Sequence, residues 1–310
     1  METCENILTK CMGLSQGEST LIVTDTDKED IGGALFAAAQ SLGSDAVMMV
    51  MKPRSVNGGE PPPAVAAAMA AANVVICPTA KSLTHTQARR SAASRGSRVA
   101  TMPGITRDMF SEGALTADYR SVRELTARVS GLLTRARSAR LSYMNRSLTM
   151  SLEGREAIAS TGTFLKPGDS GNLPSGEAYI APVEGSAEGS IHVDGSVAGL
   201  GKAERPLIVD IRRGLAVAFS GWGSSELELL LGTVEARNVA ELGVGTNEKA
   251  RLTGIVLEDE KIHGTVHVAF GDNSTFGGTV RAGVHIDCVM LKPDLYLDDV
   301  PVIRGGEFVI

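Results

Sequence analysis

The residues that could hold a metal ion are concentrated between positions 238 and 290. Three of the five histidines lie there, and His267 and His285 both sit inside apolar, β-branched runs typical of strands. Asp287 follows His285 by two residues, and side chains at i and i+2 of a strand share a face. A His-x-Asp pair facing a histidine on a neighbouring strand offers two nitrogens and one carboxylate to a metal ion. The alternative is three unrelated polar residues on half-buried strands.

Two glutamates could add carboxylates to this candidate site. Glu241 precedes His267 by 26 residues, and Glu177 follows a turn built from two glycines and a proline, GNLPSG. Taken alone, Glu177 is typical of a surface residue. If all five candidate residues converged on one site, their combined negative charge would be too large for a single divalent ion. The full set of two glutamates, two histidines and an aspartate would then favour two ions.

The composition is that of a globular protein, with 43% hydrophobic and 21% charged residues. The net charge of −6 and the lack of a dense basic stripe argue against a nucleic-acid-binding protein. No apolar run reaches the roughly 18 residues of a membrane-spanning helix, and the first residues, METCENILTKCMG, do not resemble a signal peptide. The four cysteines show no CxxC spacing, which favours reduced thiols. We therefore expect a cytoplasmic protein without nucleic-acid or membrane partners.

The first half alternates apolar strands with amphipathic helices. Strands are predicted at residues 19–25, 46–51, 73–78 and 98–103. Helices are predicted at residues 28–42, 63–72, 85–94 and 117–139. This alternation predicts a parallel sheet covered on both faces, and hence a Rossmann-like α/β domain over residues 1–139. No GxGxxG or GxxxxGK[ST] motif occurs, so no nucleotide is assigned.

His85 stands out in this half because it follows a strand end and opens the predicted helix 85–94. Folds of this class place ligands at the carboxyl ends of their strands. A helix N-terminus also disfavours the protonated imidazole, which leaves a neutral base. The alternative is that Thr84 caps the helix and His85 is a surface residue.

From residue 140 onward, glycine is frequent and short β-rich runs such as GSIHVDGSV and GTVHVAF alternate with turns. This pattern predicts a mainly antiparallel β domain over residues 140–310, with one helix near residues 224–237. All the candidate metal ligands fall in this domain.

Four motifs in order, NLPSGEAYIAP, AELGVGTN, GTVHVAFGDN and HIDCVM, resemble the metal-site motifs of the thermophilic metallo-aminopeptidases, the aminopeptidase T or leucyl aminopeptidase family. In that family, a pair of divalent ions such as zinc, cobalt or manganese is held by two Glu, two His and one Asp. Carried over motif by motif, the resemblance implies the ligands Glu177, Glu241, His267, His285 and Asp287. Glu241 would bridge the ions and be catalytic, and a metal-activated water would attack the first peptide bond of a peptide substrate. Family members form homodimers, so a homodimer is also implied.

The chain departs from these peptidases in two respects. It is shorter, and it lacks the Tyr that they carry a few residues after the histidine of the GTVH motif. The stretch after His267 reads VAFGDNSTFGG. These departures weigh against peptidase turnover but leave metal binding intact.

The same superfamily includes proteins similar to the 2,5-dihydroxypyridine 5,6-dioxygenases, which hold one Fe(II) with two His and one Asp. His267, His285 and Asp287 match that set, which leaves coordination positions open for a small-molecule substrate and O₂. Those enzymes also use a histidine outside the metal site as a base, and His85 is the match. Glu177 and Glu241 would then support the ligands or contact the substrate.

Three functions thus stay open. An aminopeptidase accounts for all five candidate ligands and is the favoured prediction. A ring-cleaving dioxygenase accounts for the two histidines, the aspartate and His85. A non-catalytic protein that binds a metal or small molecule accounts for the missing tyrosine.

Overall fold

The computed structural model describes residues 2–310 and contains two compact units. One unit comprises Met1–Arg120 and Gly162–Ser175, and the other comprises Ser121–Thr161 and Gly176–Ile310. The chain therefore passes from one unit to the other three times. The domain boundary predicted at residue 139/140 lies inside a strand of the second unit, Ser138–Tyr143.

The α-helices are α1 Glu2–Asn6, α2 Glu29–Ser41, α3 Pro63–Met69, α4 Gln87–Ser94, α5 Arg107–Ser111, α6 Tyr119–Arg135, α7 Ser224–Leu230 and α8 Val256–Asp259. The strands are β1 Ser19–Asp25, β2 Asp45–Met51, β3 Val74–Thr79, β4 Arg98–Pro103, β5 Ser138–Tyr143, β6 Arg146–Ser151, β7 Ile158–Ser160, β8 Ser170–Asn172, β9 Glu177–Ile180, β10 Glu188–Val193, β11 Ser196–Val197, β12 Gly201–Lys202, β13 Leu207–Arg212, β14 Leu215–Gly221, β15 Val239–Gly245, β16 Val266–Gly271, β17 His285–Met290, β18 Asp294–Leu297, β19 Val300–Arg304 and β20 Glu307–Phe308. A π-helical turn covers Ile7–Cys11, and 3₁₀ turns cover Ala114–Thr116 and Glu235–Arg237.

The first unit is built on a five-stranded parallel sheet in the order β2-β1-β3-β4-β8. Strand β1 has the bounds predicted from its apolar run, and all its residues after Ser19 are buried. Every residue of β3 is buried as well. Continuous apolar runs are typical of parallel strands because helices pack against both faces of such sheets. The predicted parallel α/β architecture is confirmed.

Helix α4 begins at Gln87, not at His85 as predicted. Thr86 is its N-cap, and the Thr86 hydroxyl accepts a hydrogen bond from the backbone N–H of Arg89 at 3.2 Å. The hydroxyl of Thr84, the predicted cap, is instead hydrogen-bonded to the side chains of Thr101 and Asn172. His85 therefore precedes the cap, and its side chain is exposed.

The second unit contains two mainly antiparallel sheets. The eight-stranded sheet has the order β14-β13-β10-β6-β5-β18-β19-β20, and the seven-stranded sheet has the order β12-β11-β17-β16-β15-β9-β7. Buried apolar residues from both sheets and from α6 join in one core. Examples are Val129 and Leu133 on α6, Leu148 and Val209 on the eight-stranded sheet, and Leu242 and Val268 on the seven-stranded sheet. The predicted antiparallel architecture is confirmed.

The helix predicted at residues 224–237 is shorter than expected. Helix α7 ends at Leu230, and only a 3₁₀ turn follows at Glu235–Arg237. Gly232 lies between the two, and glycine is a poor helix former because its backbone loses the most conformational freedom on folding.

The four cysteines are unpaired and buried, as expected for reduced thiols. Among residues 2–310, no helix is both long enough and apolar enough to cross a membrane. The cytoplasmic location stays a prediction.

Candidate metal centre

Four adjacent strands of the seven-stranded sheet carry the five predicted ligands. These are Glu177 on β9, Glu241 on β15, His267 on β16, and His285 and Asp287 on β17. The register places Glu241 and Asp287 opposite the same residue of β16, and His267 opposite Gly243 of β15. Because side chains alternate along a strand, this register directs all five ligands to one face of the sheet.

The other face of these strands is apolar and belongs to the core. Its residues are Ala178, Ile180, Leu242, Val244, Val266, Val268, Phe270, Cys288 and Met290. A slip of one residue in any strand would exchange the two faces. Burial of the apolar side chains on one face therefore also fixes the face to which the five ligand side chains point.

Gly243 provides the space that the imidazole of His267 occupies. A Cβ atom at Gly243 would lie 1.9 Å from Nε2 of His267 and 2.2 Å from Cε1. Since neither distance is sterically possible, only glycine permits this position of the ring above β15. The AELGVG motif thus combines a carboxylate with the gap that admits a histidine from the next strand.

His267 is fully buried, and its Nε2 faces two carboxylates. The Nε2 atom lies 3.2 Å from Oε1 of Glu241 and 3.5 Å from Oε2 of Glu177. That Glu177 oxygen is buried and has no hydrogen-bond partner. A buried carboxylate oxygen that accepts no hydrogen bond is energetically costly. It is compensated by the ion-pair contact with His267, and a metal ion that displaced the imidazole proton would take over that role.

His285 also directs its Nε2 atom toward the site. Its Nδ1 lies 2.9 Å from the backbone carbonyl of Asp272, to which it can only donate. That hydrogen bond leaves the lone pair of a neutral ring on Nε2, which lies 3.4 Å from both Glu241 and Asp287. A histidine fixed by a backbone carbonyl in this way is typical of metal ligands.

Glu260 and Lys261, which follow α8, also belong to this site, although they were not predicted from the sequence. Lys261 is fully buried, and its Nζ lies 2.6 Å from Oε1 of Glu177 and also forms an ion pair with Glu260. In the sequence the two residues belong to the charged run EDEK, which is typical of a solvated turn. No local pattern distinguishes a buried lysine from an exposed one, so tertiary contacts were needed to find them.

Burial and mutual attraction shift the pKa values of these groups. Burial alone lowers the pKa of His267, but its hydrogen bond to Glu241 and the nearby carboxylates outweigh burial and raise it to about 9. Burial raises the pKa of Asp287, but the positive charge and hydrogen bond of His285 dominate and lower it to about 2. Burial, assisted by nearby carboxylates and opposed by Lys261, raises the pKa of Glu260 to about 8. A metal ion would replace the protons on the imidazoles, because ligands must be deprotonated.

Three groups of side chains each bring their ligand atoms within 4.8 Å of one another. The groups are Glu177-Glu241-His267, Glu241-His285-Asp287 and Glu260-His267-Asp287. Imidazole and carboxylate ligands suit divalent iron, zinc and manganese. The donor set, and the buried Glu177 oxygen that accepts no hydrogen bond, therefore fit a divalent cation.

His85 belongs to the first unit, in the segment between β3 and α4. Its backbone carbonyl accepts a hydrogen bond from Arg90 at 2.7 Å. Its role as a base stays a prediction.

The comparisons with known proteins identify a family for this architecture. The family described as NicX, 2,5-dihydroxypyridine 5,6-dioxygenase, matches residues 1–310. The chain belongs to the NicX family. A curated relative, 2,5-dihydroxypyridine 5,6-dioxygenase of Pseudomonas putida KT2440, is 26% identical over 171 residues, which are 49% of this chain and 48% of that protein. The chain thus matches about half the length of this relative.

Two solved structures share the fold. A 2,5-dihydroxypyridine dioxygenase from Pseudomonas putida KT2440 has a TM-score of 0.85 at 20% identity, covering 99% of this chain and 96% of that one. AmpT from Thermus thermophilus has a TM-score of 0.74 at 17% identity, and the match covers 100% of this chain and 98% of that one. The family match confirms the predicted resemblance to the dioxygenases, and both solved structures confirm the predicted fold. The favoured prediction of an aminopeptidase is not confirmed, and NicX membership supports the dioxygenase alternative better.

Proposed function

We propose that this NicX family member is a ring-cleaving dioxygenase that acts on a dihydroxypyridine with one ferrous ion. The family match over residues 1–310 carries the proposal. By residue type, His267, His285 and Asp287 match the two-histidine, one-carboxylate set that non-haem iron oxygenases use, and Asp287 belongs to a close group with each histidine. These three residues would hold the ion.

The charges around the site favour one ion over two. Glu177, Glu241 and Asp287 bring three carboxyl groups to the site, and burial raises the pKa of a fourth, on Glu260, to about 8. Lys261 supplies one positive charge beside Glu177. This buried positive charge, which the sequence pattern did not reveal, lowers the negative charge that metal ions would have to balance and so supports one divalent ion over two.

The bound ion would activate O₂ next to an electron-rich ring. In the overall reaction the bond between ring atoms 5 and 6 breaks and both atoms of O₂ enter the product, so no external reductant is consumed. The carboxylates of Glu177 and Glu241 border the histidine nitrogens. They can accept hydrogen bonds from the hydroxyl groups of the substrate and hold the ring in a fixed orientation.

The test combines metal content with oxygen uptake. Protein purified without chelators should contain about one iron per chain and consume about one O₂ per 2,5-dihydroxypyridine, as a mononuclear dioxygenase requires. Elemental mass spectrometry and an oxygen electrode measure these two quantities. About two equivalents of zinc, cobalt or manganese, with release of N-terminal residues from peptides, would instead support the aminopeptidase. Failure to bind any metal would exclude both the dioxygenase and the aminopeptidase.

His85→Ala tests the proposed base. If His85 accepts a proton from the substrate, kcat for ring cleavage should fall by about 10²- to 10⁴-fold while iron content stays unchanged. Lys81→Ala, at an exposed position in the same segment, is the control and should keep the wild-type kcat. A wild-type kcat in His85→Ala would remove His85 from the mechanism.

A further inference from the structure

The candidate metal centre is most accessible at His285. Its side chain is 31% exposed, compared with 0% for His267 and 11% for Asp287. The side chains of Glu177 and Glu241 are 10% and 7% exposed. A ligand from solvent therefore reaches these residues most readily beside the ring of His285.

Phe276 stands at that exposed edge. Its ring contacts the ring of His285 edge to face, with centroids 5.8 Å apart, and contacts the ring of Tyr179 in the same manner at 5.5 Å. Tyr179 shares the ligand-bearing face of β9 with Glu177, two residues away. The side chain of Phe276 is itself only partly buried. Part of an aromatic ring thus stays available next to a metal ligand.

The loop that carries Phe276, residues 272–284, is held by polar contacts within the second unit. The carboxylate of Asp272 accepts hydrogen bonds from the backbone N–H groups of Ser274 and Ala282, at 3.0 and 3.1 Å. Glu184 accepts hydrogen bonds from the side chain of Asn273 and the backbone of Thr279, at 3.0 and 2.8 Å. These contacts flank Phe276 on both sides, so its ring is presented in a defined position.

We propose that Phe276 determines specificity for planar aromatic substrates by packing against the ring that binds beside His285. The proposal rests on the proposed function and adds a recognition residue to it. Aromatic rings attract one another in offset-stacked and edge-to-face arrangements, beyond the effect of buried area alone. An extended peptide chain offers no comparable ring at each position.

The experiment measures binding separately from turnover. Iron-loaded protein is titrated with 2,5-dihydroxypyridine without oxygen by calorimetry, for the wild type and for Phe276→Ala, Phe276→Leu and Phe276→Tyr. The dissociation constant should rise about tenfold in the Ala variant and several-fold in the Leu variant, and stay near wild type in the Tyr variant. In air, KM should rise more than kcat falls. Iron content should be unchanged.

Phe308→Ala is the matched control. Phe308 lies on β20 of the eight-stranded sheet, is also partly buried and contacts His263 edge to face at 4.8 Å. This variant should bind the ring as the wild type does. Unchanged binding in Phe276→Ala, or equal weakening in Phe308→Ala, would overturn the proposal. Ring binding that depends on Phe276 without any ring cleavage would support this inference and contradict the dioxygenase function. Failure of the wild type to bind the ring would overturn both.

Discussion

Replacing Lys261 by Met is expected to destabilise the protein by about 3–5 kcal/mol, because removal of one partner from a buried ion pair leaves an uncompensated charge. Lys261 is fully buried, and its ammonium is the counter-charge of Glu177 at 2.6 Å. Methionine fills a similar volume, so the lost stability would come mainly from the unpaired carboxylate of Glu177 and not from a cavity. Urea unfolding followed by circular dichroism, in the presence of a chelator, measures the free energy of unfolding.

Arg137→Met is the control for this experiment. Arg137 forms an ion pair with Glu153 at 2.9 Å, but the two side chains are 76% and 63% exposed. Exposed pairs contribute about 0–1 kcal/mol, so this variant should unfold almost as the wild type does. Adding Glu177→Gln and Glu260→Gln to Lys261→Met should restore much of the lost stability, because no buried charge is then left without a partner. Equal stabilities for Lys261→Met and the wild type would contradict the assigned role of the lysine.

The second large effect is expected for Gly243→Ala, which should weaken binding of the divalent ion by about 100-fold or more. A single methyl group at this position overlaps the imidazole of His267, and β15 is paired on both sides, to β9 and β16. Because β15 is held on both edges, the strand cannot shift to relieve the overlap, and the imidazole of His267 must move. Loss of ligand orientation typically costs about 10- to 100-fold in metal affinity, and displacement of a ligand should cost at least as much.

A competition titration against a chromophoric chelator measures this affinity. The control is Gly33→Ala on α2, where no heavy atom lies within 4 Å of the added Cβ. That substitution should leave metal affinity unchanged and stabilise the helix by about 1 kcal/mol. Wild-type affinity in Gly243→Ala would show that the ring of His267 need not occupy the space above Gly243.

Periodicity explains which parts of the fold could be predicted. The apolar runs of β1 and β3 and the alternating pattern of β16 and β17 are local features, and the structure has strands at those positions. The predicted start of α4 was two residues too early because Thr84 and Thr86 are equally good caps in isolation. The Thr84 hydroxyl is instead hydrogen-bonded to Thr101 and Asn172, which are distant in the sequence, and a local pattern does not reveal such contacts.

The sequence by itself determined the strand assignment, the shared face of His285 and Asp287, and the types of ligand available for a metal ion. These follow from an alternation of period two and from the chemistry of single side chains. Only the tertiary structure decided that Lys261 is buried beside Glu177 and that Gly243 makes room for His267. Burial and steric clearance depend on which strands become neighbours, and that choice is made by the apolar core on the opposite face of the sheet.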